Sequence, residues 1–174
     1  SKSESSTMCL VAEIVSDKPY EYLPDQHLYQ PLRNKDTTFY PTKEHLNRLS
    51  QLYELKDDKQ DYAGFQLLVP VKWARHPIPA GCLYSTGSDL AKLYQMMLQK
   101  GKWAGKQLVS EKAVAQMTAV QTGDLTCGFT PGMSFGYGWA GAQPPEGVTA
   151  LVSPGPCGHG GAWGRQGWGA SPHR

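Results

Sequence analysis

Two short stretches of the sequence contain residues whose types and spacing could carry out acyl-transfer chemistry. Residues 132–136 read GMSFG and match the G-x-S-x-G pattern of the nucleophile elbow, with Ser134 as the nucleophile. Residues 158–161 read GHGG and place the imidazole of His159 among glycines, and histidine can accept or donate a proton near neutral pH. Ser134 and His159 are therefore the first candidates for catalytic groups.

The surroundings of Ser134 do not favour an elbow. An elbow sets its serine between a strand and a helix, whereas Pro131 would interrupt the strand and the following FGYGW predicts no helix. An acid and a histidine should also follow, and Glu146 and His159 come too soon to leave room for the intervening sheet. We interpret Ser134 as a serine in a glycine-rich strand and keep the elbow-type esterase as an alternative.

The cysteines give little indication of a metal centre. Cys9, Cys82, Cys127 and Cys157 are far apart and form no C-x-x-C pair, whereas zinc ligands are usually closely spaced. We predict free, mostly buried thiols and no metal or other cofactor. A Cys/His metal site at Cys157 and His159 stays as a minor alternative.

Composition indicates a globular chain of one domain. It has 174 residues, of which 40% are hydrophobic and 18% charged, with a net charge of +2. The basic residues are scattered, which excludes a nucleic-acid-binding surface. No apolar run approaches the about 20 residues of a membrane helix, and the polar start SKSESSTM predicts no signal peptide. The sequence does not indicate a compartment.

Periodicity and turn residues predict the elements that must position the candidates. The predicted helices are the end of a buried helix over 8–15, a helix over 20–30 stopped by Pro31, a helix over 44–55, a helix over 85–98 ended by Gly101, and a helix capped by Ser110 and reaching 119. The predicted strands are 65–71, 135–140 and 148–152, with a hairpin tip over 102–108.

Four stretches occur in the order found in one family. They are LVAEIVSDKPY at 10–20, QPLRNKDTTF at 30–39, PAGCLYSTGSDLA at 79–91, and FGYGW at 135–139 followed by GHGG at 158–161. Together they resemble the serine β-lactamase-like proteins, which include penicillin-binding proteins, class C β-lactamases and related esterases. The resemblance covers nearly all 174 residues.

The resemblance implies an α+β fold of the β-lactamase/transpeptidase type, with helices packed on an antiparallel sheet. It also implies a serine hydrolase that cleaves a small ester or amide through an acyl-enzyme. In that family the nucleophile lies in S-x-x-K, a Tyr/Ser-x-Asn motif manages protons, and K-T-G or H-x-G lies on the edge strand of the sheet. A third motif that contains histidine resembles the motif of esterase or peptidase-like members more than the motif of dedicated β-lactamases.

His159-Gly160-Gly161 matches the third motif of the family. The resemblance implies that His159 lines the cleft as the catalytic residue present in this chain. It implies that Gly160 and Gly161 let substrate approach. The backbone N–H of Ala162 would supply half of the oxyanion hole that stabilises the tetrahedral intermediate.

The first two family motifs do not carry over. No serine has a lysine three residues later, and the second motif would fall at Ser1, with Lys2 in place of its Asn. The tail 169–174 also departs from the family pattern. We therefore expect one partial domain that is truncated at both ends. It would consist of a helical and irregular part over 1–81, a helical part over 82–120, the sheet strands with the H-G-G motif over 121–168, and the aberrant tail over 169–174.

These departures leave several readings of the function open. The chain is expected to be inactive alone, with an N-terminal half as a candidate partner. A non-catalytic fragment or binding scaffold is the alternative. Members of the family are often periplasmic or secreted.

Overall fold

The computed structural model describes residues 2–51, 53–56, 59–62, 77–81, 83–125, 127, 133–142, 150, 157–161 and 165–170. The chain forms two compact units, residues 1–89 and 90–174. The helices are α1 Lys2–Ser16, α2 Tyr22–Pro24, a π-helix Asp25–Tyr29, α3 Gln30–Leu32, α4 Lys43–Asn47, α5 Gly87–Leu98 and α6 Glu111–Thr118. The strands are β1 Tyr53–Lys56, β2 Lys59–Tyr62, β3 Lys102–Trp103, β4 Lys106–Gln107, β5 Met133–Phe135, β6 Ala140–Ala142, β7 Cys157–Gly160 and β8 Gln166–Gly169. No helix in these described ranges is long and apolar enough to cross a membrane.

Helix α1 in the first unit leaves an apolar face in solvent, so the prediction of a buried helix over 8–15 is wrong. The exposed side chains are Met8, Leu10, Val11, Ile14 and Val15. On its other side, Glu13 Oε1 accepts the Tyr20 N–H at 2.8 Å, and the Tyr20 hydroxyl partly offsets the burial that raises the pKa of the Cys9 thiol. At 3.6 residues per turn, positions 9 and 13 point away from positions 8, 11 and 15.

The second helical run, from α2 to α3, continues through Pro31. The proline was predicted to stop it, because a ring inside an α-helix clashes with the carbonyl four residues before. The run avoids this by widening into the π-helix, where the Gln30 N–H bonds to the Asp25 carbonyl five residues back. It ends instead after Leu32, where Arg33 has a left-handed φ of 55°.

The predicted helix over 44–55 is only partly confirmed. Thr42 caps α4 by accepting the His45 N–H, while His45 Nδ1 accepts the Thr42 N–H. The helix stops at Asn47, and β1 then pairs antiparallel with β2. The predicted strand at 65–71 lies outside the described residues.

A buried carboxylate ties the segment after α3 to the start of α5. Asp89 is 3% exposed, and its Oδ2 accepts the Asp36 N–H at 2.9 Å and the Thr37 hydroxyl at 3.1 Å. Thr38 and Tyr84 add a β-bridge beside this contact. The Asp89 N–H itself donates to the Thr86 hydroxyl at 3.2 Å, so Thr86 caps the start of α5.

In the second unit, Gly101 ends α5 and also joins it to the next hairpin. Its N–H bonds to the Met96 carbonyl, and its φ is 85°. Its carbonyl accepts the N–H groups of Leu108 at 2.9 Å and Val109 at 3.2 Å. Between them β3 pairs with β4, which confirms the predicted helix end and hairpin.

Strands β5 to β8 form an antiparallel sheet in the order β5-β6-β7-β8. The predicted strand over 135–140 is wrong, because residues 136–139 make the turn between β5 and β6. Gly138 has a φ of 78° and the Gly136 N–H bonds to the Trp139 carbonyl at 2.8 Å. Before the sheet, α6 is capped as predicted by the Ser110 hydroxyl. The predicted strand at 148–152 lies almost wholly outside the described residues.

Candidate active site

Ser134 lies in the middle of β5, and its surroundings are not those of an elbow. Its hydroxyl donates to the Gly141 carbonyl of β6 at 3.4 Å, a long and weak hydrogen bond. After Phe135 the chain turns into another strand rather than into a helix. The local geometry therefore matches the interpretation of Ser134 as a strand residue.

His159 lies on β7 with an exposed side chain. Its Nδ1 is 2.6 Å from the Gly160 carbonyl oxygen, and its ring meets the Phe135 ring edge-on at a centroid distance of 5.8 Å. A carbonyl oxygen only accepts, so Nδ1 carries the proton in this contact. In the neutral ring Nε2 is then the nitrogen that can accept a proton.

The sheet leaves the His159 end of β7 without pairing to β6. The β6–β7 ladder joins Ala140 to Gly158 and Gly141 to Cys157, whereas β8 pairs with all four residues of β7. The expectation of an edge strand is therefore wrong for β7 as a whole, which has a neighbour on each side. At His159 itself, however, β7 is paired with β8 and not with β6, because the turn at 136–139 ends β6 opposite Gly158.

The two glycines after His159 differ in their surroundings. Gly160 is half-buried and pairs with Gln166 of β8, and a Cβ there would lie 3.0 Å from the Gln166 side chain. Gly161 is exposed, but its N–H donates to the Arg165 carbonyl at 2.7 Å. The Gly161 N–H is therefore already bonded to a backbone acceptor. Ala162, the expected oxyanion-hole residue, lies outside the described residues.

Tyr94 of α5 touches the same pair of strands, and sequence analysis did not identify it. Its hydroxyl donates to the Gly167 carbonyl at 2.8 Å, and its ring meets Trp139 edge-on at 5.4 Å. Burial raises the pKa of Tyr94, the Cys157 thiol adds to the rise, and the His159 backbone N–H partly opposes it. The one feature of the sequence that could have indicated this contact is the pair Gly167 and Gly169, which leaves room on one face of β8 for a large side chain.

The cysteines bear on the alternative of a metal site at Cys157 and His159. Cys9, Cys127 and Cys157 are free and half-buried, and burial raises the pKa of Cys157. Cys82 lies outside the described residues. Within the part of the chain that the structure describes, no three His, Cys, Asp or Glu side chains come together as metal ligands.

The fold agrees with comparisons to known proteins. The structure is similar to EstCE1, a hydrolase with promiscuous acyltransferase activity, with a TM-score of 0.70 and 19% identity over 94% of this chain and 46% of that chain. It is similar to the octameric penicillin-binding protein homologue from Pyrococcus abyssi, with a TM-score of 0.52 and 23% identity over 74% and 26% of the two chains. It is similar to a penicillin-binding protein homologue from Caulobacter crescentus, with a TM-score of 0.54 and 20% identity over 84% and 44%.

The chain spans less than half the length of each of these solved structures. No curated protein matches it at a significant level. A sequence model of the family described as Beta-lactamase matches residues 7–174. The helices and antiparallel strands described above are part of that family's α+β fold, and the chain belongs to the β-lactamase family.

Proposed function

We propose that this chain is part of a serine hydrolase that cleaves a small ester or amide through an acyl-enzyme. The observation that carries the proposal is the placement of His159. Its imidazole is exposed where the β6 ladder has ended, and Nδ1 is held by the Gly160 carbonyl. Nε2 is thereby available to take or give a proton, the role that histidine performs in acyl transfer.

The chemistry divides between this chain and a nucleophile that it does not carry in S-x-x-K form. In the first step a serine oxygen bonds to the acyl carbon, and the alcohol or amine leaves with a proton. Water then releases the acid and restores the serine. His159 would exchange protons with the leaving group or the water, and the Ala162 N–H would bind the developing oxyanion.

The absence of S-x-x-K also favours a second candidate, a non-catalytic fragment or binding scaffold. Both candidates give no turnover for the chain alone. They predict different turnover once a segment that carries the nucleophile is supplied. The test is therefore a complementation experiment.

The first experiment uses the chain by itself. Fluorophosphonate labelling with peptide mapping, read with p-nitrophenyl butyrate turnover, is expected to give neither a label nor hydrolysis in a folded sample. A label on Ser134 accompanied by turnover would establish the elbow-type esterase and overturn the proposed mechanism.

The second experiment co-expresses the chain with an N-terminal segment that carries S-x-x-K from a serine hydrolase of this fold. Ester hydrolysis is expected to appear, and His159→Ala should lower it about 100-fold or more, the usual worth of acid–base catalysis. The control His27→Ala changes an exposed histidine of the π-helix and should leave the rate unchanged. A folded complex without hydrolysis would favour the scaffold.

A further inference from the structure

The contact between α5 and β8 is built around a tyrosine and two glycines. Gly167 and Gly169 lie two residues apart on β8 and so point to the same face of the sheet. A Cβ on Gly167 would lie 2.7 Å from the Tyr94 oxygen, and one on Gly169 would lie 3.3 Å from Tyr94 Cδ1. The ring therefore lies directly on the strand, where a larger residue at position 167 would displace it.

The hydroxyl end of Tyr94 lies at the point where β8 faces the histidine. Gly167 is the register partner of His159 in the β7–β8 ladder. The Gly167 carbonyl accepts the Tyr94 hydroxyl proton at 2.8 Å, and the backbone N–H of His159 partly opposes the rise in the pKa of Tyr94. The Tyr94 hydroxyl thus binds the β8 backbone at the register position that faces His159 on β7.

At this position β7 has no described pairing with β6. Pairing with β6 stops at Gly158, so β8 is the strand that holds His159 among the described pairings. Trp139 packs edge-on against the other end of the contact and limits the movement of the Tyr94 ring. A hydrogen bond worth about 1 kcal/mol has a large effect where few others act.

We propose that Tyr94 is a positioning residue that fixes the β7–β8 register and thereby holds the backbone and the Nδ1–H tautomer of His159. The tautomer depends on the backbone because the Nδ1 contact is to the adjoining Gly160 carbonyl. The importance of this for catalysis rests on the proposed function of His159. The positioning itself does not.

The test is Tyr94→Phe in the ¹⁵N-labelled chain, followed by NMR. The ring and its packing stay, and the hydroxyl is lost. Amide hydrogen exchange of His159 is expected to rise about fivefold, and the imidazole spectrum should shift from the Nδ1–H toward the Nε2–H tautomer. The matched control is Tyr137→Phe, which changes an exposed tyrosine in the turn of the same sheet and should alter neither signal.

Unchanged exchange and an unchanged tautomer in folded Tyr94→Phe would overturn the positioning role. If that variant does not fold, the wild-type chain gives the answer. A slowly exchanging Tyr94 hydroxyl proton with a nuclear Overhauser effect to the His159 amide is expected, and a hydroxyl that exchanges freely with water would contradict the proposal.

These readouts need no turnover. A tautomer shift in Tyr94→Phe, together with a complemented complex that ignores His159→Ala, would overturn the proposed function and leave the positioning role standing. The reverse pair of results would overturn the positioning role alone.

Discussion

At the scale of single residues, Asp89 is a buried charged side chain with two hydrogen-bond donors. Its carboxylate is buried and accepts from the Asp36 N–H and the Thr37 hydroxyl. Hydrogen bonds to a charged group are stronger than neutral ones, and their loss would leave two donors without this acceptor. Asp89 therefore acts as the connection between two distant stretches of the first unit.

Replacement of Asp89 by alanine is expected to lower the free energy of unfolding by about 2–3 kcal/mol. Urea denaturation followed by circular dichroism measures this. Ser88→Ala, at an exposed neighbour in α5, should change stability by less than about 0.5 kcal/mol. Equal stabilities of the two variants would mean that the Asp89 contacts contribute nothing net.

Tyr29 gives the first unit a dependence on alkaline pH. Burial, with a contribution from the Asp25 carboxylate, raises its pKa to about 12. The folded chain thus keeps the phenol proton that the unfolded chain releases near pH 10. The stability from this group is complete below about pH 10 and is lost as the pH rises through about 12.

Tyr29→Phe is therefore expected to flatten the fall in stability between about pH 10 and 12. The measurement is denaturant unfolding at several pH values, with the phenolate absorbance at 295 nm as a second reading. Tyr22→Phe, at an exposed tyrosine of α2, should keep the wild-type slope. A wild-type slope in Tyr29→Phe would contradict the assignment.

At the scale of elements, the β3–β4 hairpin contains a residue in a backbone conformation that suits glycine better. Ala104 and Gly105 both have positive φ, 47° and 79°, as in a type I′ turn. The alanine Cβ is unfavourable at such an angle. The turn is nevertheless formed, because β3 and β4 pair on either side of it.

Ala104→Gly is expected to stabilise the chain by up to about 1 kcal/mol, since the relief of strain exceeds the entropy of the glycine. The same substitution at Ala115, exposed in α6, should destabilise by about 1 kcal/mol. Melting temperatures measured side by side give the two signs. A loss of stability in Ala104→Gly would show that the turn does not need a positive φ.

Elements were predictable where the deciding contacts are local. Ser110 caps α6 and Gly101 ends α5 as expected, because each acts on the nearest helical turn. The prediction that Pro31 stops the helix was wrong, because nothing in the sequence indicates the π-helix that accommodates the proline. The prediction of a strand at FGYGW was also wrong. A glycine-rich strand and a glycine-rich turn have similar sequences, and the positive φ of Gly138 is known only from the structure.

The candidate site followed the same rule. His159, Gly160 and Gly161 were recognisable in the sequence as a contiguous motif, and their role in a site stays a prediction. Tyr94 was not recognisable, because it lies 73 residues from its partner Gly167 and no periodicity joins them. The end of the β6 ladder at Ala140 was likewise hidden, since it depends on where the preceding turn closes.

At the scale of the whole molecule, helix α1 presents an exposed apolar face. Ile14 is 81% exposed and Val15 is 82% exposed, and they adjoin three further exposed apolar side chains of the same helix. A contiguous apolar surface promotes association. Burial of such side chains contributes little to the folded state described here.

Replacement of Ile14 and Val15 together by glutamine is expected to change the free energy of unfolding by less than about 1 kcal/mol and to reduce self-association. Light scattering across a concentration series measures the second effect. Leu32→Ala, at a site 1% exposed, should cost about 2–5 kcal/mol. A comparable loss from the glutamine variant would show that the α1 face is buried in solution.

Gly101 also has a consequence for the order in which the chain can fold during synthesis. Its carbonyl closes on Leu108 and Val109, so the end of α5 and the hairpin are complete once residue 109 has left the ribosome. Contacts this near in sequence form quickly. Tyr94, on the same helix, must wait until Gly167 has been made. Helix α5 can thus form before strands β7 and β8 pack against Tyr94.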